Sequence, residues 1–339
     1  MNQPSPSAYT AVRTQRGGID VVQLADPSGK VSATIVPQMG NIACEFIVNG
    51  KNAFWFPYDS VTEFAASPQM CGNPFLAPWA NRLDEHAFFA NGRKFLLNRG
   101  LENYLVDPHD QPIHGLLLYS PHWKVASLGA SAEAAVVSSC LEFGRHPDLM
   151  AQFPFAHRIE MTYRLTGSCL ETHTRIDNLG AEPMPLSLGF HPYFRVHDCP
   201  RDDWRIRIAA GSVWDLNDRF TPKGTQSPAS SQFPAAQSLL LRNQFLDHVF
   251  GDLQRDADGW ARFRLEGQVE RITVAYGPKY PVAVVYAPTG EGQSFVCFEP
   301  MTGITNAFNL AHRGVYRELP EIPPGGRWES AYVIEVDGF

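Results

Sequence analysis

Apolar and polar residues alternate one by one along much of this chain. In residues 158–165, the apolar Ile159, Met161, Tyr163 and Leu165 interleave with Arg158, Glu160, Thr162 and Arg164. Successive side chains of a strand point to opposite faces, whereas a helix repeats every 3.6 residues. The pattern therefore specifies strands with one buried and one wet face. It returns in residues 169–177, 204–210, 261–266 and 328–336. Residues 19–24 and 31–36 read as an opening strand pair. Residues 42–48 and 53–56 flank Asn49-Gly50, and residues 87–90 and 93–97 flank Asn91-Gly92. Asn-Gly suits the left-handed positions of a type I′ turn, so both read as hairpins. Residues 280–287 and 294–298 are more continuously apolar and read as buried central strands. Only 60–66 and 306–311 suggest helix, each a turn or two. The expected fold class is all-β: a large antiparallel β-sandwich with few short helices.

Composition fits that architecture. Hydrophobic residues make up 44% of the 339, enough to fill a substantial core, and 27 Pro and 27 Gly supply its turns. The pattern does not change character along the chain, so 1–339 reads as a single domain, with 1–18 as a polar N-terminal extension. The Pro-, Ser- and Gln-rich stretch 221–238 reads as a long surface loop rather than a linker. A formal net charge of -7 argues against nucleic acid or an anionic membrane as partner. The six cysteines, at 44, 71, 140, 169, 199 and 297, form no C-x-x-C pair and no zinc spacing, so they read as reduced thiols and no metal is expected. With no apolar leader segment, a cytoplasmic location is expected. Monomer and homodimer are both compatible with the sequence.

Four polar residues stand at the edges of apolar segments: Arg82 after Asn81, His114 before Gly115, His191 before Pro192-Tyr193-Phe194, and Glu299 between Phe298 and Pro300. Two imidazoles and a carboxylate can provide a general acid and a general base, and an arginine can hold a hydroxylated substrate. Each has a plainer reading. Arg82 can be a salt-bridged surface residue, and His114 can simply end a strand. Glu299 ends an apolar strand, where an unpaired carboxylate is costly. It must therefore lie at a rim or have a purpose. No phosphate loop or nucleophile elbow competes with the set, so cofactor-free proton transfer is the expected chemistry.

The order of these motifs resembles the aldose 1-epimerases of the galactose mutarotase superfamily. The matching segments are Asn73-Pro74-Phe75-Leu76-Ala77-Pro78-Trp79-Ala80-Asn81-Arg82, Ile113-His114-Gly115 and Gly189-Phe190-His191-Pro192-Tyr193-Phe194. Leu246-Asp247-His248-Val249-Phe250, Val296-Cys297-Phe298-Glu299-Pro300-Met301-Thr302, Asn306-Ala307-Phe308-Asn309 and Pro324-Gly325-Gly326 follow in the same order. The resemblance implies a β-supersandwich that interconverts the α and β anomers of a free sugar without a cofactor. It implies Glu299 as general base, His191 as general acid, His114 as a second imidazole near the ring oxygen, and Arg82 and Asp247, beside Asn81, as sugar-binding residues. Trp79 and Tyr193 lie within the motifs and are candidates for stacking on a sugar.

Where typical members follow the first His-Gly with another glycine, Leu116-Leu117-Leu118 stand here, and a bulkier adjoining wall is expected. The stretch from Leu118 to Trp123 also resembles sugar-phosphate epimerases of the superfamily. A hexose-6-phosphate 1-epimerase is therefore an alternative, for which Arg93, Lys94 and Arg99 would be the phosphate cations. A sugar-binding protein that has lost catalysis is another.

Overall fold

The computed structural model describes residues 8–290 and 292–339, and the fold is built on three large antiparallel sheets. A five-stranded sheet opens the chain with Thr10–Arg16, Ile19–Ala25, Val31–Val36, Ile42–Val48 and Lys51–Asn52 in sequence order. A nine-stranded sheet runs from Lys124–Ala130 through Ala135–Glu142, His157–Thr166 and Cys169–Asn178 to the C-terminal Arg327–Asp337. It then continues through Arg271–Tyr276, Ala261–Glu266, Arg205–Arg207 and Leu239–Leu240. An eight-stranded sheet is centred on Val282–Ala287 and Val296–Met301, with Leu246–Leu253, Ala210–Leu216 and Pro222–Pro228 on one side. Gly189–Phe190, Tyr193–Phe194 and Phe75–Leu76 complete it on the other side. Among the described residues, four short α-helices decorate the sheets. No helix among the described residues is long and apolar enough to cross a membrane.

The two large sheets pack face to face. Phe263 of the nine-stranded sheet meets Phe298 of the eight-stranded one with ring centroids 5.9 Å apart, and Tyr332 meets Phe190 at 4.8 Å. Along His157–Thr166 and Cys169–Asn178 every second residue is buried, as the alternation requires. Val296–Met301 is buried at every position. Its Val296 and Phe298 face the core between the sheets. Cys297 and Met301, on the opposite face, belong to two separate apolar clusters. Glu299 shares that outer face, so its carboxylate is the polar gap between two apolar patches.

Both Asn-Gly turns have the left-handed backbone of type I′ geometry, with φ of 49° and 84° at Asn49-Gly50 and of 50° and 72° at Asn91-Gly92. The first hairpin nevertheless departs from the expected 53–56. Its second strand is Lys51–Asn52, because Asn52 Oδ1 accepts the N–H groups of Phe46 and Phe54. That turns the chain away, and Phe54 bridges to Phe194 instead. Residues 204–210 divide between the two large sheets, as Arg205–Arg207 and the start of Ala210–Leu216. The helices Val61–Ala66 and Ala307–His312 stand where helix is expected, the first with Ser60 Oγ accepting the Glu63 N–H.

Two expectations need correction. Of the expected extension 1–18, residues 1–7 lie outside those described, and residues 10–16 are not a tail but a strand, since Thr10–Arg16 pairs along its whole length with Ile19–Ala25. The stretch 221–238 is not a loop. Pro222–Pro228 is the edge strand of the eight-stranded sheet and Ala229–Gln232 a single helical turn. An edge strand can hold two prolines and a glycine because one side of its ladder is unpaired.

Candidate active site

Glu299 and Asp247 come from different strands of the same outer sheet face. In register, Glu299 stands opposite Val284, and Asp247 opposite Tyr286, which in turn faces Cys297. His191 follows the short strand Gly189–Phe190, its N–H donating to the Pro74 carbonyl. Its ring stacks on Tyr193 with centroids 4.7 Å apart and planes 14° from parallel. Tyr193–Phe194 is itself paired to Val296–Met301, so the imidazole is fixed beside Glu299 by the sheet.

Asn81, Arg82 and His114 are delivered by two irregular segments clasped together. Arg82 bridges to Ile113, the His114 N–H donates to the Asn81 carbonyl, and the Leu116 N–H donates to that of Ala77. Asn81 and His114 both have left-handed backbone, with φ of 55° and 64°. The glycine of His114-Gly115 is a steric requirement. At φ 72°, a Cβ on Gly115 would lie 2.2 Å from the Ala77 carbonyl oxygen. Gly115→Ala is therefore expected to destabilise the fold by about 3 kcal/mol, the upper end for a single substitution. An unchanged urea midpoint would mean that the clasp yields freely and does not fix His114.

All six sequence-identified residues line one cavity of about 350 Å³, at the small end of the roughly 300–1,000 Å³ typical of small-molecule sites. His191 Nε2 lies 3.2 Å from Glu299 Oε1. The His114 ring stands nearly perpendicular to His191, centroids 5.3 Å apart. Arg82 Nε donates to Asp107 Oδ2 at 2.8 Å and its Nη1 to Asn81 Oδ1 at 3.1 Å, while Nη2 is 3.6 Å from Asp247 Oδ2.

Burial dominates the electrostatics. It pulls the His191 imidazole down to about 3, and pulls His114 well below its ordinary value with help from the neighbouring His191 and Arg82 charges. Burial pushes the Glu299 carboxyl well above its usual value; Asp247 adds to the shift and Arg82 opposes it. Asp247 is raised too, by burial against the pull of Arg82. The His191–Glu299 contact is an ion pair only if a proton sits on the imidazole. Burial penalises both charges and so favours a neutral imidazole against a carboxylic acid. The two titrate as one unit.

Several expectations end elsewhere. Trp79 is 1% exposed and packs in the main core, so it does not stack on a ligand here. Tyr193 does line the cavity. Leu116, Leu117 and Leu118 do not form its wall. Leu116 and Leu117 belong to the main core, Leu118 packs in a smaller cluster, and Leu116 and Leu118 border a separate groove. Arg93, Lys94 and Arg99 are dispersed on the solvent face, paired with Glu182, Glu85 and Asp110, and none lines the cavity. All six cysteines are free thiols.

The sequence reading misses Asp107, the anchor of Arg82. Its signal is the turn Asp107-Pro108-His109-Asp110-Gln111, where Asp107 Oδ1 accepts the N–H groups of His109 and Gln111. Phe220, Phe245 and Tyr286 also line the cavity, and nothing in their local sequence marks them.

An antiparallel supersandwich with this polar cavity on its outer sheet face has the build of the galactose mutarotase-like proteins. A galactose mutarotase-like protein from Clostridium acetobutylicum superposes with a TM-score of 0.85, covering 98% of this chain and 99% of that one at 19% identity. The galactose 1-epimerase of Lactobacillus acidophilus superposes at 0.75, covering 98% and 99% at 15% identity. In sequence, the uncharacterized protein YphB of Escherichia coli is 23% identical over 267 residues, 77% of this chain and 82% of that one. The chain belongs to the aldose 1-epimerase family, whose model matches residues 20–335.

Proposed function

We propose that this protein is an aldose 1-epimerase acting on a free hexose or related aldose, and that it opens and recloses the sugar ring by acid–base catalysis. The observation that carries the reading is the buried His191–Glu299 contact of 3.2 Å beside an anchored Arg82. Opening a hemiacetal breaks C1–O5 and makes C1=O1, with O1 losing a proton and O5 gaining one. Glu299 takes the O1 proton and His191 gives one to O5. The pair thus passes from imidazolium–carboxylate to imidazole–carboxylic acid with its single proton conserved. After rotation about C1–C2, reclosure on the other face returns both protons. Substrate hydroxyls that hydrogen-bond the charged form offset its burial cost. His114, kept neutral, stands beside the ring oxygen, and Arg82 and Asp247 hold hydroxyls, with Asn81 and Asp107 holding Arg82.

A phosphorylated sugar is the weaker reading, because Arg93, Lys94 and Arg99 are spent on surface carboxylates. Sugar binding without catalysis would not call for a buried acid–base pair. Polarimetry of freshly dissolved α-D-glucose and α-D-galactose tests the proposal, with NMR anomer exchange for glucose 6-phosphate. Acceleration of a free sugar is expected. Acceleration of the phosphate alone would move the reading to the alternative, and acceleration of none would overturn it.

The pH profile is a second check. One proton on the pair is the active count, and a second is added only as pH falls toward the His191 value of about 3. The acid limb of kcat/KM should therefore lie well below the ordinary imidazole value of about 6.5. An inflection at that ordinary value, lost in His191→Gln, would contradict a neutral His191.

A further inference from the structure

None of the segment Asn306-Ala307-Phe308-Asn309 lines the active-site cavity. Asn306 stands at the N-cap of the helix Ala307–His312. An asparagine there ordinarily has extended backbone and accepts an N–H of the first turn. Asn306 does neither. Its φ is 63°, in the left-handed region, and its side chain makes no bond to its own helix. It faces the chain at Arg82 instead. The Asn306 N–H donates to the Arg82 carbonyl at 2.9 Å, and its Oδ1 accepts the Asp84 N–H at 3.2 Å. The left-handed turn thus lets backbone and side chain of one residue hold both ends of Arg82-Leu83-Asp84. Asn306 is 2% exposed, so water offers these groups little alternative.

The grip is backed from both directions along the chain. Downstream, the buried Asn309 donates from Nδ2 to Asp84 Oδ1 at 2.7 Å and to the Ala87 carbonyl at 3.2 Å, and Arg313 Nη1 lies 2.6 Å from Asp84 Oδ2. Upstream, the chain arrives directly from the strand Val296–Met301, which carries Glu299. On the way, the Thr302 N–H donates to the Leu188 carbonyl at 2.9 Å, and its Oγ1 to the same carbonyl at 3.2 Å. Leu188 leads into Gly189–Phe190 and His191. Residues 302–306 therefore tie together the three chains that deliver Glu299, His191 and Arg82. Arg82 also bridges to Ile113. Its bonds to Asp107 and Asn81 restrain only the guanidinium, whereas Ile113 and Asn306 hold the backbone from which it reaches.

We propose that Asn306 is a positioning residue for Arg82. It fixes the Arg82 backbone relative to Glu299, so that Nε meets Asp107 while Nη2 stays toward Asp247 and the cavity. The proposal rests on the epimerase reading for its effect on turnover, but not for its effect on Arg82. An N-cap asparagine that gives up its own helix for a neighbouring segment breaks a local rule, and the compensating gain is the placement of the arginine.

The test reads Arg82 directly. In the parent, its Nε–H should give a sharp, slowly exchanging NMR signal, because Asp107, whose side chain is 4% exposed, holds it. Loss of the signal in Arg82→Lys assigns it. Asn306→Gly keeps the left-handed backbone and its N–H but removes the acceptor. The Arg82 Nε–H should then exchange at least about tenfold faster. Asn306→Ser, whose hydroxyl stops one bond short of the Asp84 N–H, gives the same reading if the glycine variant does not fold. Turnover supplies a second readout. Asn306→Gly should lower kcat/KM for the best sugar by about 10–100-fold. In an Arg82→Lys background it should cost less than about twofold, since it acts through that arginine. A loosened fold alone would lower activity equally in both backgrounds. An unaltered Arg82 signal, or equal losses in the two backgrounds, would overturn the proposal. If no sugar is turned over, the epimerase reading fails by itself, and the Arg82 signal decides the role of Asn306.

Discussion

Glu299→Gln should lower kcat for anomer exchange by about 10²–10⁴-fold, the usual worth of one positioned acid–base group. Sugar affinity should stay within about tenfold of the parent. Glutamine keeps the shape of the side chain, so a residue that is 1% exposed can be replaced without leaving a cavity. It keeps an oxygen acceptor toward His191 but cannot carry the proton from O1. Loss of turnover with affinity retained is the signature of an interaction used in the transition state rather than in the ground state. Rapid-quench NMR for turnover and calorimetry for binding separate the two. If turnover survives, Glu299 is not the proton carrier, and Asp247 on the same sheet face becomes the candidate base. Its carboxyl is likewise raised by burial.

The sandwich was legible because its signal is local. A strand such as His157–Thr166, wet on one face, writes its burial into every second letter. The signal weakens where a strand meets the same environment on both faces. Thr10–Arg16 is mostly exposed, and its T-A-V-R-T-Q-R carries little apolar alternation, so it passes for a tail. The Pro-rich Pro222–Pro228 passes for a loop for a similar reason, since an edge strand needs only one ladder. In residues 204–210 the alternation continues while the chain changes sheet, because period 2 records a face and not a partner.

The site divides along the same line. Arg82, His114, His191 and Glu299 stand out as polar residues at apolar edges, and the order of their motifs joined them to Asp247 and Asn81. Asp107, Phe220, Phe245 and Tyr286 reach the cavity through tertiary folding alone. Trp79 shows the opposite error. It stands two residues before Asn81, yet its indole packs in the core. Sequence adjacency to a motif fixes where a backbone goes and leaves open which way each side chain points.

His191→Gln should also cost about 10²–10⁴-fold in kcat, and the variant combined with Glu299→Gln should cost little more than the worse single change. The reason is the single proton. With the two groups 3.2 Å apart and titrating as one unit, opening the ring moves the pair between two states of equal total protonation. Removing either partner removes the exchange as a whole, so the second substitution has almost nothing left to take. Independent groups would multiply their losses, because ΔΔG values of uncoupled sites add. Glutamine at 191 keeps a donor in reach of Glu299, which guards against leaving the carboxyl buried without a partner. The measurement is kcat for the parent, both single variants and the double variant on the best sugar. A double-variant loss equal to the product of the single losses would mean that His191 and Glu299 act at separate steps, and the shared-proton account of the site would fall.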